Sequence, residues 1–228
     1  MFKNISKKAF TLSEVLITLV VIGIVAAITM PTLHANYVEK ERIAKIKKTY
    51  STLNQAMIRV RATGADMMFE EIDGNSQKIK EWYDEYMGPF LITTKVCHQK
   101  AGCWNEGDTY WLNGSKHNWN RTGVGVGSDI ITAVLNDGTF INIDGFSISD
   151  MNTIFGIDAE GKAGFVAYFD INGMRKPNTI GKDIFVAVYA ADIGFVPAYA
   201  HRNMSQVDSD CSSKGKGVSC IIKYLNKA

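Results

Sequence analysis

The first pattern along the chain is an apolar run with almost no break in it. From Phe10 to Leu33 the sequence reads FTLSEVLITLVVIGIVAAITMPTL, without Lys, Arg or Asp, and Glu14 is its one acidic residue. A stretch of that length meets the roughly 20 residues needed to cross the hydrocarbon core of a bilayer, and it predicts a membrane-spanning helix over 10–33. Beyond Pro31 the apolar positions narrow to a single stripe: Ile43, Ile46, Tyr50, Leu53, Met57 and Val60 follow one another at alternating intervals of three and four. Such spacing lines one face of a helix, so an amphipathic helix is predicted over 34–63, with Thr63 and Gly64 as its stop. From Ile130 the pattern becomes that of strands. Ile131 to Leu135 and Thr139 to Ile143 flank Asn136-Asp137-Gly138, which predicts a hairpin because Asp-Gly supplies the positive φ angles of a tight turn. Gly164 to Phe169 and Ile184 to Tyr189, rich in Val, Phe and Tyr, predict two more strands of a four-stranded sheet, and Cys220 to Tyr224 a last edge strand. Between these halves only a short helix, Ile79 to Met87, is legible among loops. The predicted fold class is α+β: a long N-terminal helix packed on an antiparallel sheet, with the globular head over 64–228.

Composition and charge narrow the partners. At 228 residues and 25.2 kDa, with 46% hydrophobic and 11% aromatic residues, the chain can bury a core of ordinary domain size. The formal net charge is +2, but Lys3, Lys7 and Lys8 supply three positive charges ahead of the apolar run, which leaves −1 for residues 10–228. A near-neutral body has no electrostatic footprint for nucleic acid, and none is expected as a partner. Those lysines, with no other before Lys40, orient the N-terminus to the cytoplasm and the remainder outward. A conventional secretory signal is not expected, because the run is long and Ala26, Ala27 and Thr29 make a poor small-x-small cleavage site. Glu14 remains as the anomaly. An ionised side chain at mid-bilayer costs about 2.5–3.5 kcal/mol on insertion scales and less near the interface, so a plain anchor would be better without it. The cost is offset if the carboxylate meets a partner, and a free α-amino group would serve.

The stretch Lys7-Lys8-Ala9-Phe10-Thr11-Leu12-Ser13-Glu14-Val15-Leu16 resembles the cleavage and methylation motif of type IV prepilins and type II secretion pseudopilins. The resemblance implies a basic leader over 1–9, a cut by prepilin peptidase between Ala9 and Phe10, N-methylation of Phe10, and Glu14 at the fifth mature position. It also implies that Glu14 pairs with the new terminal amine at Phe10 of a neighbouring subunit during fibre assembly. The family usually has Gly before the cut; Ala9 departs from this but keeps a small residue, and processing is expected. Pro31 falls where the family's long helix bends, and a proline inside a helix removes a hydrogen bond and kinks it. The resemblance covers about the first thirty residues. It implies a pilin-like or pseudopilin-like structural subunit and no enzyme. The subunit would sit in the cytoplasmic (inner) membrane with its C-terminal head outside, then enter a filament in the periplasm or on the cell surface. Self and other pilins, prepilin peptidase, and the assembly platform with its ATPase are the implied partners.

Other residue patterns bear on the head. Cys97, Cys103, Cys211 and Cys220 allow three pairings in an oxidising compartment; the local one, Cys97 with Cys103 and Cys211 with Cys220, is preferred over free thiols. The loop FDINGMRKPNTIGKDIF gathers Asp170, Asn172, Asn178 and Asp183 around glycine turns. These are hard oxygen ligands of the kind Ca²⁺ takes, although the spacing is not that of an EF-hand, and the same residues are ordinary turn formers. Some pseudopilins similarly hold calcium in a loop near the end of the head. Trp82, Trp104, Trp111 and Trp119, interleaved with Asn105, Asn113 and Asn118, are either a sugar-binding face or core and loop anchors. Cys97, His98, Cys103 and His117 match no common zinc spacing, and Gly123 to Ser128 lacks the Lys and helix of a phosphate loop. No nucleophile elbow or H-E-x-x-H motif occurs. The alternative to a filament subunit is therefore a single-pass anchored binding module for glycan or calcium.

Overall fold

The computed structural model describes residues 10–64, 76–117, 130–146, 164–190 and 194–227; Ala9, Trp119 and Gly123 to Ser128 lie outside them. The chain divides into two compact units, Met1–Glu41 and Arg42–Ala228. The first helix, α1 (Leu12–Ala62), begins in one and ends in the other.

From Val15 to Met30 α1 carries no charged residue, and it is long and apolar enough to cross a membrane. Two of its hydroxyls bond back to the backbone. The hydroxyls of Thr18 and Thr29 donate to the carbonyls of Val15 and Val25, both at 2.9 Å, so neither leaves an unpaired donor facing hydrocarbon. Pro31 lies inside α1 and has no N–H to give to the turn before it.

The second unit is built on a six-stranded antiparallel sheet in the order β1-β4-β5-β6-β7-β8. Its strands are β1 (Thr93–His98), β4 (Ile130–Leu135), β5 (Phe140–Phe146), β6 (Gly164–Asp170), β7 (Ile184–Ala190) and β8 (Gly194–Pro197). A small ribbon, β2 (Thr109–Tyr110) with β3 (Lys116–His117), pairs separately and bridges to the β6–β7 loop through Tyr110 and Thr179. The predicted hairpin forms around Gly138, whose φ of +81° is the left-handed conformation that favours glycine.

Alternation along the strands sends side chains to two cores. One face carries Ile131, Ile141, Ile143, Phe165, Phe169, Phe185 and Phe195 into a cluster with Ile46, Leu53, Met57 and Val60 of α1. Of the predicted stripe, Ile46, Leu53, Met57 and Val60 are buried together with Thr49 and Ala56, Tyr50 is partly buried against the cluster, and Ile43 is half-buried. The other face carries Phe140, Val166, Tyr168, Ile184, Val186 and Val188 into a second cluster with Trp104 and Ile180. Covered on both sides, β6 is buried along its whole length, which explains why it reads as an unbroken apolar run rather than an alternating one. Polar contacts fix the helix to both ends of the sheet. Asn54 accepts from the N–H of Phe195 at 2.9 Å and donates to its carbonyl at 3.1 Å, filling the open side of edge strand β8. Lys48 reaches Asp137 in the β4–β5 turn at 2.7 Å.

Three expectations need correction. The sheet has six strands and not four, because the short edges β1 and β8 carry little strand signal. The segment beginning at Cys220 is a helix, α4 (Cys220–Asn226), and not an edge strand. In helical register Ile221, Tyr224 and Leu225 all reach the main core, and the Tyr224 ring meets Phe185 edge-on at 5.3 Å; this burial outweighs the strand propensity of two adjacent isoleucines. The helix predicted over Ile79 to Met87 is α2 (Ser76–Trp82) followed by a π turn, Tyr83–Met87.

Candidate functional site

Two groups of polar residues stand out, one in each unit. The first lies at the start of α1. Thr11 immediately precedes the helix, and its backbone N–H and its hydroxyl both donate to Glu14 Oε2 at 2.8 Å. In return the N–H of Glu14 donates to Thr11 Oγ1 at 3.2 Å. This is a reciprocal capping box, in which two N–H groups left over by the helix start are satisfied by two side chains. The arrangement holds the carboxylate at the positive end of the helix dipole, where a negative charge is favoured. Among the described residues, both bonds from Thr11 to the carboxylate go to one of its two oxygens, Oε2. Phe10, beside it, is exposed. Thr11 was missed as a functional residue, although the spacing Thr-x-x-Glu ahead of an apolar run is the signature of such a box.

The second group occupies the β6–β7 loop, where all four residues singled out as oxygen ligands have been drawn into one network. Asp170 closes β6 and Asp183 sits one residue before β7. Asp170 Oδ1 accepts from the N–H groups of Asn172 at 2.9 Å and Gly173 at 3.0 Å. Asp183 accepts from the N–H of Thr179 at 2.6 Å, from the N–H of Asn178 at 2.7 Å, and from the side-chain amide of Asn172 at 3.0 Å. Asn172 therefore bridges the two carboxylates. The turns require unusual backbone: Gly173 and Asn178 have φ of +64° and +48°, and Asn is among the few non-glycine residues that tolerate it.

What the turns leave over is more informative than what they use. Asp170 Oδ2, Asn172 Oδ1 and Asn178 Oδ1 are buried and accept no hydrogen bond from the described residues. Asp170 is fully buried. Burial pushes its carboxyl up to about 8, the Asp183 charge adds to the rise, and the N–H groups of Asn172 and Gly173 oppose it. Asp183 is raised as well, again by burial first. Oxygen-only donors with unspent lone pairs fit the chemistry of a hard cation, with the two carboxylates supplying charge and the asparagines neutral oxygens. Among the described residues no group of three His, Cys, Asp or Glu side chains converges on a metal position.

The remaining candidates separate. Cys97 is joined to Cys103, with Cα atoms 5.9 Å apart, and Cys211 to Cys220, at 5.3 Å, so neither of the first pair is a thiolate for zinc. Trp82 is buried in the main core and Trp104 in the second, on opposite faces of the sheet, while Trp111 is half-buried against His117. These three form no common sugar-binding face.

Residues 5–30 match the family described as the prokaryotic N-terminal methylation motif, the signal of type IV pilin and pseudopilin precursors. No curated protein and no solved structure matches the chain. The motif, a helix fit to span a membrane, and an α+β fold with a long N-terminal helix and an antiparallel sheet are the features of a membrane-anchored, pilin-like precursor.

The buried carboxyl of Asp170 has a consequence for stability. A carboxyl with a higher pKa folded than unfolded keeps its proton longer in the native state, so stability falls as pH rises through the window between the two values. In the presence of a chelator, the melting temperature of the full chain is expected to decline between about pH 4 and about pH 8, and Asp170→Asn is expected to flatten that decline. Thermal unfolding followed by circular dichroism across this range checks it; a wild-type curve that rises over the window contradicts it.

Proposed function

We propose that the chain is a structural subunit of a type IV pilus or a type II secretion filament, cut between Ala9 and Phe10 by prepilin peptidase and N-methylated at Phe10. In this reading residues 1–9 are the leader, 10–33 span the membrane and then enter the filament core, 34–63 continue the helix, and 64–228 form the outward head. The observation that carries the proposal is Glu14: a carboxylate held at the head of an apolar helix by Thr11, with both of these bonds on one oxygen. Removing residues 1–9 exposes an amine at Phe10. The amine of one subunit meeting Glu14 of the next joins two charges that are each costly in lipid, and the pair sets the axial register between copies. The apolar side chains from Val15 to Met30 then exchange lipid for neighbouring helices, a step with little net hydrophobic gain. The charge pair consequently supplies direction as well as register.

Glu14→Ala is expected to be processed and inserted normally and to abolish assembly, read as loss of sheared or cross-linked filaments in cells carrying the assembly machinery. Full assembly of Glu14→Ala would favour the anchored binding module, in which the helix only tethers the head.

A second reading concerns the head itself. The unsatisfied oxygens of Asp170, Asn172 and Asn178, beside Asp183, support a calcium site in the β6–β7 loop. Bound calcium would neutralise the two buried carboxylates and hold a loop that carries the β2–β3 ribbon. A cation that binds only the folded state stabilises it by about 2.7 kcal/mol at a hundred times its dissociation constant. The melting temperature of the full chain in non-ionic detergent is expected to rise with added calcium, less so with magnesium, and not at all in Asp170→Asn. A wild-type melting temperature insensitive to calcium overturns this reading.

A further inference from the structure

We propose that a cleft in the second unit, between helix α3 (Met204–Asp210) and the turn of the β2–β3 ribbon, binds a small oxyanion: a carboxylate or phosphate group borne by its ligand. The cleft has a volume of about 520 Å³, and its lining includes Asn113, Arg202, Asp210, Lys214 and Lys216. Three of these side chains are cationic and one is anionic. The single carboxylate is turned to the protein. Asp210 Oδ1 accepts from the N–H groups of Lys216 and Gly217, both at 3.2 Å, and Oδ2 from the N–H of Ser219 at 2.8 Å and its hydroxyl at 2.7 Å. Its lone pairs are spent holding the loop that follows it.

Two of the three cations lie against aromatic rings, and Arg202 is in addition ion-paired with Asp210. The Arg202 guanidinium lies over the Tyr199 ring, 3.6 Å from its centre, and its Nη1 forms a long ion pair with Asp210 Oδ2 at 3.8 Å, beyond hydrogen-bond distance. Lys216 Nζ stands 5.2 Å from the centre of the Trp111 ring. Stacking holds the planar guanidinium of Arg202 through its face and leaves N–H groups at its edge, whereas the Lys216 ammonium is a point charge attracted to the Trp111 ring. Among the described residues no carboxylate lies within ion-pair distance of Lys214 or Lys216, whereas the nearby Lys116 and Lys223 are paired with Asp108 and Asp208.

The walls are rigid. The Cys211–Cys220 disulfide closes the loop bearing Lys214 and Lys216, and the N–H of Leu112 donates to the carbonyl of Lys216 at 3.1 Å, tying the ribbon to that loop. Asn203 and Gln206 cap α3 reciprocally. With three cations against one acid whose oxygens are taken up by four donors, the cleft keeps positive charge for an anion, and the edge of a guanidinium offers two parallel N–H donors to a carboxylate or phosphate.

The test uses the full chain with its disulfides intact in non-ionic detergent, labelled with ¹⁵N. Inorganic phosphate and glucuronate are titrated separately while the Arg202 Nε–H and the backbone N–H groups of Lys214 and Lys216 are followed. Saturable shifts are expected, with a dissociation constant on the order of millimolar. Arg202→Gln and Lys216→Gln are each expected to weaken binding about fivefold or more, and Lys100→Gln, which does not line the cleft, to leave it unchanged. Saturation by phosphate alone identifies a phosphate-bearing ligand, and saturation by glucuronate alone a carboxylate-bearing one. Shifts that grow in proportion to concentration with either anion, or saturable binding that Lys216→Gln does not weaken, overturn the proposal.

Discussion

Burial of one face of α1 against the sheet is the interaction on which the second unit depends. Ile46, Leu53, Met57 and Val60 are fully buried among aromatic and aliphatic side chains from four central strands. Deleting a buried leucine at such a position typically costs about 2–5 kcal/mol, a large part of the stability of one domain. The helix then fixes what its apolar face leaves free: Lys48 holds the β4–β5 turn, and Asn54 with Tyr50 closes the edge of β8 through Phe195. A helix that organises the sheet through one half can therefore devote its other half to lipid.

A single electrostatic constraint connects the two groups of functional residues. A carboxylate removed from water must find donors, a counter-charge or a proton. Glu14 is met by Thr11 through one oxygen. Asp170 is met by two backbone N–H groups through one oxygen and has no partner among the described residues at the other. In each case the described residues bond to one carboxylate oxygen, and burial raises the Asp170 carboxyl to about 8. Asp210 shows the opposite solution: four donors satisfy it, it pairs at 3.8 Å with Arg202, and Lys214 and Lys216 remain as positive charges in the same cleft.

Much of the fold was legible because its periodicities persist over long stretches. The stripe on α1 repeats through several turns, the β4–β5 hairpin is marked by Asp137-Gly138, and β6 and β7 are continuous runs of strand formers. The missing strands were short or polar. In β1 only Cys97 is buried, and β8 has four residues held by Asn54 of a distant helix. The C-terminal helix was misread because Ile221-Ile222 favours a strand locally, while the gain that decides its form lies in contact with Phe185. The methylation motif was legible because charge, small residue, aromatic, acid and apolar span occur in one order. That Asp170, Asn172, Asn178 and Asp183 lie in one loop was equally plain. Which of their oxygens remain unsatisfied was not, because that depends on which N–H groups the turns direct at them. The cationic cleft left no sequence signal, since Arg202, Lys214 and Lys216 come together with Asn113 only through a disulfide and the ribbon that packs on it.

In the proposed filament precursor the mature terminus is Phe10. Mass spectrometry of the N-terminal peptide, from protein isolated from its native membranes, tests it most directly. A peptide beginning at N-methylated Phe10 is expected. A peptide still carrying the residues before Phe10, from cells with active prepilin peptidase, would contradict it.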